Sequence, residues 1–265
     1  MQAPLLVATD VDGTLLDPAD RVTPRTAAVL ARLASCGVGL VLVTGRPPRW
    51  IAPVVAQIDV AGLAVCANGA VIYDAAAEQV VSAHTLDAAT LADVAAAVSE
   101  VLPDAGIAVE RIGVSGERFM AEPSYRHAWV GSDHTLRSRA ELVDMPAVKM
   151  LVRDPAMTSD AMVAALAPVV GSAGDLTFSH AGGLVEISAP GVTKATGLAE
   201  VAAVLGVPAV DIVAFGDMPN DLEMLRWAGH GVAMGNAHPA LREVADEVTA
   251  TNAEDGLALV LERWF

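Results

Sequence analysis

The chain has 265 residues, enough for one large or two modest domains. Its formal net charge of −16 argues against binding to nucleic acid or to anionic membranes, because both need a basic surface. Hydrophobic residues make up 54% of the sequence, but no apolar stretch approaches the roughly 18 residues that a membrane span requires.

The N-terminus and the cysteines favour a cytoplasmic protein. Residues 1–4 contain no basic side chain and lead directly into an apolar run, which is not typical of a signal peptide. Cys36 and Cys66 lie in apolar surroundings, and we expect both to be small buried hydrophobic residues in a reducing compartment.

Strands and helices alternate over the first third of the chain. Continuous apolar runs predict buried strands at 5–10, 39–44 and 63–68. Thr23 before Pro24 predicts the start of a helix that ends before Gly37, and a second helix is predicted over 47–57. Residues 70–73 and 79–83 are typical of a short hairpin that leaves the sheet.

The pattern changes over residues 84–187, which we predict to be an inserted α+β domain with an antiparallel sheet. From Thr193 the alternation resumes, with a helix, a strand over 211–216 and shorter elements to the C-terminus. We therefore predict an α/β fold, with a doubly wound parallel sheet formed by residues 1–83 and 188–265.

Two of the predicted strands end in pairs of carboxylates. Asp10 and Asp12 follow the first strand, and Asp217 and Asp221 follow the strand over 211–216. In an open parallel sheet, ligands bind where strand ends meet at the reversal of strand order. Carboxylates gathered there raise one another's pKa unless a cation joins them, and Mg²⁺ commonly takes one or two carboxylates plus a substrate phosphate.

Four short motifs occur in a characteristic order. They are Asp10-Val-Asp12-Gly-Thr14, Thr44-Gly45-Arg46, Lys194, and Gly216-Asp217-Met-Pro-Asn220-Asp221. In this combination the whole chain resembles the haloacid-dehalogenase superfamily of phosphotransferases. It is similar to the Cof-like hydrolase branch of sugar-phosphatase type. The resemblance implies a Rossmann-like core with a large cap inserted between the second and third motifs.

The resemblance also implies a role for each motif residue. Asp10 would be the nucleophile that forms an aspartyl-phosphate, and Asp12 the general acid and then the base. Mg²⁺ would be held by Asp10, Asp217 and the backbone carbonyl of Asp12, and Asp221 would orient Lys194 or a metal-bound water. The residues that would bind the phosphate or the substrate are Thr44, Gly45, Lys194 and Asn220.

Some of these residues also have simpler interpretations. Thr44 can be a helix N-cap ahead of Pro47, and Asp221 can be an ordinary acidic residue at a helix N-terminus. Asn68-Gly69-Ala70 resembles an element of the branch that lies beside the substrate, but it can equally be a simple turn. The branch often has Lys-Gly where this chain has Lys194-Ala195.

The predicted cap contains basic side chains that could face a substrate. The candidates are Arg111, Arg118, Arg126, His127, Arg153 and His180. The sequence does not choose among them.

The expected activity is hydrolysis of phosphoric monoester bonds with Mg²⁺ as the cofactor. The expected partner is a small phosphorylated metabolite, a sugar phosphate first, with neither nucleic acid nor membrane involved and an oligomeric state that the sequence leaves open. A phosphosugar mutase or a narrow-specificity glycosyl-phosphate phosphatase of the same superfamily is the alternative. From a different class, a phosphoaspartate signalling module is disfavoured by the large cap and by Asp12, because a lasting switch needs no built-in acid or base.

Overall fold

The computed structural model describes residues 2–58, 62–112, 118–126 and 134–265. The chain forms two compact units, each with its own sheet. The first unit contains residues 1–82 and 193–265, and the second unit contains residues 83–192. None of the helices in the described ranges is long and apolar enough to cross a membrane.

The first unit is built on an eight-stranded sheet. With all strands numbered in chain order, its strands are β1 (Leu6–Thr9), β2 (Gly39–Val43), β3 (Leu63–Cys66), β4 (Val71–Asp74), β5 (Gln79–Ala83), β12 (Ile212–Gly216), β13 (His230–Ala233) and β14 (Glu247–Val248). The spatial order is β14-β13-β12-β1-β2-β3-β4-β5. The run from β14 to β3 is parallel, and β4 is antiparallel to β3.

The strand order reverses between β1 and β12. From β1 the chain moves outward to β2 and β3, and after the second unit it returns to the other side of β1. Every residue of β1 and of β12 is buried, as expected for apolar strands covered on both faces. The pair is in register through Thr9 and Phe215, so the carboxyl ends of the two strands meet side by side.

Two of the helices of the first unit begin at N-cap signals in the sequence. The helices of this unit are α1 (Pro24–Ser35), α2 (Ala52–Ile58), α6 (Lys194–Leu205), α7 (Leu222–Trp227), α8 (Pro239–Arg242) and α9 (Gly256–Leu261). Thr23 caps α1 by accepting a hydrogen bond from the amide of Thr26, with proline in the first turn. Thr193 caps α6 through a capping box, and Gly206 ends that helix in the left-handed conformation.

The second unit has a six-stranded sheet in the order β10-β11-β9-β6-β7-β8. Its strands are β6 (Gly106–Glu110), β7 (Phe119–Ala121), β8 (Thr135–Leu136), β9 (Lys149–Arg153), β10 (Asp175–Thr177) and β11 (Leu184–Ser188), and its helices are α3 (Ala88–Val101), α4 (Arg139–Leu142) and α5 (Ser159–Val170). Apolar residues of α3 and α5 pack on one face of this sheet, in a core that includes Leu91, Leu166 and Ile107. An α/β fold with a parallel-rich sheet is thus confirmed.

Four details differ from the predictions. The hairpin of β4 and β5 extends the first unit's sheet instead of leaving it, because β4 pairs with β3 along four residues. The helix predicted over 47–57 is broken into a 3₁₀ turn, Pro48–Trp50, and α2. In the second unit the sheet is antiparallel as predicted except at its edge, where β7 and β8 are parallel. Cys66 is buried as expected, but Cys36 is exposed.

Candidate active site

Three carboxylates from the two central strand ends come together in the first unit. Asp10 directly follows β1, Asp217 directly follows β12, and Asp221 lies one turn beyond Asp217. Each offers an oxygen within 4.8 Å of the other two, and all three residues are buried. We call these three residues the carboxylate cluster. The amide of Asp10 donates to the carbonyl of Phe215 at 3.0 Å, which ties the two strand ends together.

The turn after β1 brings the backbone close to the cluster. Gly13 has a φ of +83°, a conformation that favours glycine. A Cβ atom at this position would lie 2.2 Å from Oδ2 of Asp217, far inside contact distance. Thr14 Oγ1 in the same turn donates to Oδ1 of Asp217 at 3.4 Å. The glycine of the first motif is therefore required by both its conformation and this close approach.

Lys194 brings a positive charge into the cluster. It is the first residue of α6, and its side chain is fully buried. Its Nζ donates to Oδ1 of Asp10 at 2.6 Å and to Oδ1 of Asp221 at 2.7 Å. Although burial disfavours the charged form, the two carboxylates raise the pKa of Lys194 above its ordinary value. A lysine at a helix start is usually solvated, so this burial is unusual.

When all its groups are ionised, the cluster and Lys194 together carry more negative than positive charge. Burial raises the pKa of Asp10 to about 7, against the favourable charge of Lys194. Burial and repulsion by Asp10 and Asp221 raise the pKa of Asp217 to about 9. Three carboxylates and one ammonium carry a formal charge of −2 when all are ionised, which matches one divalent cation. The donors are all oxygen atoms, so these residues fit Mg²⁺.

Asp221 is held by two backbone amides. Its Oδ2 accepts hydrogen bonds from the amides of Asp217 and Met218, each at 3.1 Å. Its Oδ1 accepts from Lys194. Asp221 ends the 3₁₀ turn Pro219–Asp221 that leads into α7, so it lies at a helix start and also contacts the buried lysine. The two interpretations of this residue are compatible.

Asp12 lies outside the carboxylate cluster. Its two carboxylate oxygens accept hydrogen bonds from Arg46, at 2.8 Å from Nε and 2.6 Å from Nη2. The Asp12 side chain is 53% exposed. Its proposed acid–base role and the ligation by its backbone carbonyl stay predictions.

Two buried asparagines and Thr44 line the strand ends next to the cluster. Asn220 Nδ2 donates to Oδ1 of Asn68 at 3.0 Å, and Asn68 adopts a φ of +58°. Within the described ranges, the buried Oδ1 of Asn220 has no hydrogen-bond partner. A Cβ at Gly45 would lie 3.1 Å from Oδ1 of Asn68, so this backbone also approaches closely. The unmatched Asn220 oxygen is a polar group available for a donor on a ligand.

Thr44 does not cap the following helix. The N-cap position of the 3₁₀ turn Pro48–Trp50 is occupied by Pro47. The Thr44 hydroxyl instead accepts a hydrogen bond from the amide of Arg46 at 3.0 Å, which leaves its own proton to be donated.

The sequence reasoning missed Asn236. Its Nδ2 donates to the carbonyl of Gly13 at 2.9 Å and to Oδ2 of Asp217 at 3.3 Å. It follows β13 by three residues, beside the strand that carries Asp217. A polar residue just beyond a buried strand was the signal that could have found it.

Two of the basic candidates in the second unit bind loops of that same unit. Arg111 Nη2 donates to the carbonyl of Leu142 and to Asp144, each at 2.9 Å, and Arg153 bonds the carbonyls of Arg126 and Gly182. These contacts give Arg111 and Arg153 roles in holding loops of their own unit. His127 lies outside the described residues.

Comparison with known proteins gives matches over nearly the whole chain. Residues 7–261 match the family model for haloacid dehalogenase-like hydrolases. A 5-amino-6-(5-phospho-D-ribitylamino)uracil phosphatase, YitU of Bacillus subtilis, is 29% identical, with 99% of this chain and 98% of that protein covered. An HMP-PP phosphatase of Serratia proteamaculans is 31% identical, with 98% and 94% covered. Among solved structures, the subclass IIB sugar phosphatase BT4131 superposes with a TM-score of 0.83 at 21% identity, with 98% of each chain covered.

Proposed function

The chain belongs to the family of haloacid dehalogenase-like hydrolases, and from this premise we propose that it is a magnesium-dependent phosphatase of small phosphomonoesters that acts through an aspartyl-phosphate on Asp10. The match over residues 7–261 confirms the family resemblance and the expectation of a hydrolase. The metal, the intermediate and the substrate belong to the proposal.

The arrangement of Lys194 carries this proposal. A fully buried ammonium bonded to both Asp10 and Asp221 costs several kcal/mol in desolvation, which an ordinary structural role does not require. Its position beside Asp10 suits a site that handles a dianionic group, because the charge is already in place when the phosphoryl group transfers. Lys194 also supplies local positive charge for an anionic substrate in a chain whose net charge is −16.

In the first half-reaction, a carboxylate oxygen of Asp10 attacks phosphorus while the bond from phosphorus to the leaving oxygen breaks. Asp12 donates a proton to that leaving oxygen, which matters most for a poor leaving group such as a sugar alkoxide. Lys194 would neutralise the phosphoryl oxygens, and the Thr44 hydroxyl and the second Nδ2 hydrogen of Asn220 would donate to them. In the second half-reaction, the oxygen of water bonds to phosphorus while Asp12 takes a proton from that water. The bond from phosphorus to the Asp10 oxygen breaks, and its electron pair returns to the Asp10 carboxylate.

The metal would be held by the side chains of Asp10 and Asp217 and by the backbone carbonyl of Asp12. When bound, Mg²⁺ supplies the positive charge that relieves carboxylate repulsion and balances the substrate phosphate. Gly13 and Asn236 place the Asp217 carboxylate for this purpose.

The substrate is proposed to be a small phosphorylated metabolite, with a sugar phosphate as the first candidate. Relatives of similar length are named as phosphatases of a phosphoribitylaminouracil, of HMP-PP and of pyridoxal phosphate. These names support a small organic phosphate without selecting one. We propose further that residues 1–83 and 188–265 carry the chemistry, and that residues 84–187 act as a cap that selects the substrate.

The rival activities differ in their products. A phosphosugar mutase would give an isomeric sugar phosphate without releasing phosphate. A signalling module would keep a long-lived phosphoaspartate instead of turning over. No observation in the described residues favours either rival.

A phosphate-release screen tests the proposal. The purified protein is assayed with Mg²⁺ on sugar phosphates, nucleotides and cofactor phosphates, and then with EDTA. Asp10→Asn, which is nearly isosteric but not nucleophilic, should lose all turnover while its circular dichroism spectrum is unchanged. Asp93→Asn, an exposed position on α3, is the matched control and should keep full activity.

Phosphate release by a homogeneous Asp10→Asn sample would refute the nucleophile. Full activity in buffer shown by elemental analysis to be metal-free would refute the role of Mg²⁺.

A further inference from the structure

Asp12 and Arg46 form a two-point ion pair at the edge of the active site. Arg46 donates through Nε and Nη2, one hydrogen bond to each oxygen of the Asp12 carboxylate. The Arg46 side chain is 19% exposed, whereas that of Asp12 is 53% exposed. A half-exposed aspartate on a turn would otherwise sample several rotamers, so this pair restricts the orientation of Asp12.

The backbone of Arg46 is itself firmly held. Its amide donates to the hydroxyl of Thr44 at 3.0 Å, and its carbonyl accepts from the amide of Ala67 at 2.9 Å. The amide of Asn68 donates to the carbonyl of Thr44 at 3.0 Å. The loops after β2 and β3 are thereby joined, and the guanidinium extends from a fixed point toward the turn after β1.

An ion pair at the protein surface usually contributes little to stability. The Asp12–Arg46 pair differs because both oxygens of the carboxylate are bound by one planar group. Fork-to-fork geometry of this kind fixes direction as well as distance, and a lysine cannot reproduce it. Although partial burial disfavours its charge, Asp12 raises the pKa of Arg46 above its ordinary value, so the guanidinium remains a cation.

We propose that Arg46 is a positioning residue that aims the Asp12 carboxylate for proton transfer. This inference rests on the phosphatase function proposed above. In the second half-reaction, the oxygen of water bonds to phosphorus as Asp12 takes its proton. The bond from phosphorus to Asp10 breaks, and its electron pair returns to the Asp10 carboxylate. Arg46 acts only through Asp12 and touches neither the phosphorus nor the water.

The expected cost of losing Arg46 is a fraction of the whole acid–base contribution. General acid–base catalysis typically supplies about 10²–10⁴-fold, and a displacement of about 1 Å can cost about 10²-fold. We therefore expect Arg46→Met to slow breakdown of the phosphoenzyme by roughly 10- to 100-fold. KM should fall in step with kcat, and kcat/KM should stay near the wild-type value, because slower breakdown of a covalent intermediate lowers both constants and Arg46 does not bind the substrate.

The test is a double-mutant cycle read by rapid quench. Full-length wild type, Arg46→Met, Asp12→Asn and the double variant are mixed with nitrophenyl phosphate and Mg²⁺. Formation and decay of the phosphoenzyme are measured separately, and steady-state kcat and KM are measured alongside. Arg49→Met removes a cation from the same loop, where Arg49 stacks on Trp50 at 5.1 Å, and serves as the matched control.

Three results are expected together. Decay should slow in Arg46→Met, with no further loss when Arg46→Met is added to Asp12→Asn. Arg46→Lys should recover little, because an ammonium does not bind both oxygens in a plane. Added guanidinium ion should restore part of the decay rate of Arg46→Met and none of that of Asp12→Asn, which a purely structural role would not produce.

Two results would overturn the proposal. If Arg46→Met raises KM by the same factor in the wild-type and in the Asp12→Asn background, Arg46 is a substrate contact. If the phosphoenzyme of Arg46→Met decays at the wild-type rate, the Asp12–Arg46 pair is a surface ion pair without a catalytic function. If instead the wild type forms no phosphoenzyme, the proposed phosphatase mechanism fails, and that outcome is distinct from a normal wild type with silent Arg46 variants.

Discussion

Replacing Asp217 by asparagine should stabilise the metal-free protein while removing its response to Mg²⁺. Asp217 is only 7% exposed, and burial together with repulsion by Asp10 and Asp221 raises its pKa from 3.8 to about 9. An acid whose pKa is raised by folding contributes stability that is fully present below its unfolded pKa and is lost as pH rises through its folded pKa. The metal-free protein should therefore lose stability between about pH 4 and pH 9.

The size of the effect follows from the same shift. At pH 8, roughly four pH units lie above the unfolded pKa, which at about 1.4 kcal/mol per unit gives an upper bound of about 6 kcal/mol. One proton can relieve the repulsion of both Asp10 and Asp217, so the cost that belongs to Asp217 alone is smaller than this bound. The new amide also faces Nδ2 of Asn236, a donor, at a cost of about 1 kcal/mol. We expect a net gain of about 3 kcal/mol, or roughly 6–12 °C in Tm.

Thermal unfolding by circular dichroism measures this directly. Wild type, Asp217→Asn and the control Asp93→Asn are compared in EDTA at pH 5 and at pH 8. The gain of Asp217→Asn should be larger at pH 8 than at pH 5, and the control should match the wild type at both. Added Mg²⁺ should then raise the Tm of the wild type well above its EDTA value and raise that of Asp217→Asn much less.

A Tm of Asp217→Asn below that of the wild type in EDTA at pH 8 would refute the reasoning. It would mean that the neighbours of Asp217 stabilise its ionised carboxylate and do not destabilise it. An undiminished Mg²⁺ response in the variant would separately remove Asp217 from the metal site.

Three further substitutions test other parts of the structure. Lys194→Met should lower the free energy of unfolding in EDTA by about 3–5 kcal/mol, because it leaves buried carboxylates without their ammonium; an unchanged urea midpoint would contradict this. Gly13→Ala should remove the Mg²⁺-induced rise in Tm with secondary structure retained, because its Cβ would lie 2.2 Å from Oδ2 of Asp217; a normal Mg²⁺ titration would show that the turn adapts. In the second unit, Lys149→Met should destabilise by about 3–5 kcal/mol by leaving the buried Glu186 without its cation, and adding Glu186→Leu should recover much of the loss; a double variant no more stable than the single one would contradict the pairing argument.

Local sequence signals predicted which segments become strands and helices in the first unit. Apolar runs placed β1 and β12, because a strand buried on both faces needs no partner-specific pattern. Thr23 and Pro24 placed the start of α1, because capping depends only on neighbouring backbone groups. Which strands pair with one another was harder to predict from the sequence. The strands β4 and β5 extend the first sheet, and β7 and β8 are parallel, because of contacts that no local sequence pattern encodes.

The residues of the candidate site were also named from the sequence, as was the meeting of Asp10 with Asp217, but the full membership of the carboxylate cluster was not. Strand ends and motif order pointed to Asp10, Asp217 and Lys194, and the structure brings these three together. Their catalytic roles stay predictions. Whether Asp12 or Asp221 would complete the carboxylate cluster depended on how two turns pack, and the structure places Asp221 there.

The sequence by itself determined the chemical inventory: carboxylates at strand ends, a lysine at a helix start, and a glycine in the turn between them. Only the tertiary structure decided that Lys194 is fully buried between two carboxylates, and that Arg46 binds both carboxylate oxygens of Asp12. The physical reason is the separation in sequence between the groups that interact. Backbone conformation and capping are set by residues a few positions away, whereas burial, pKa and ion pairing depend on groups that meet only when β1 and β12 lie side by side.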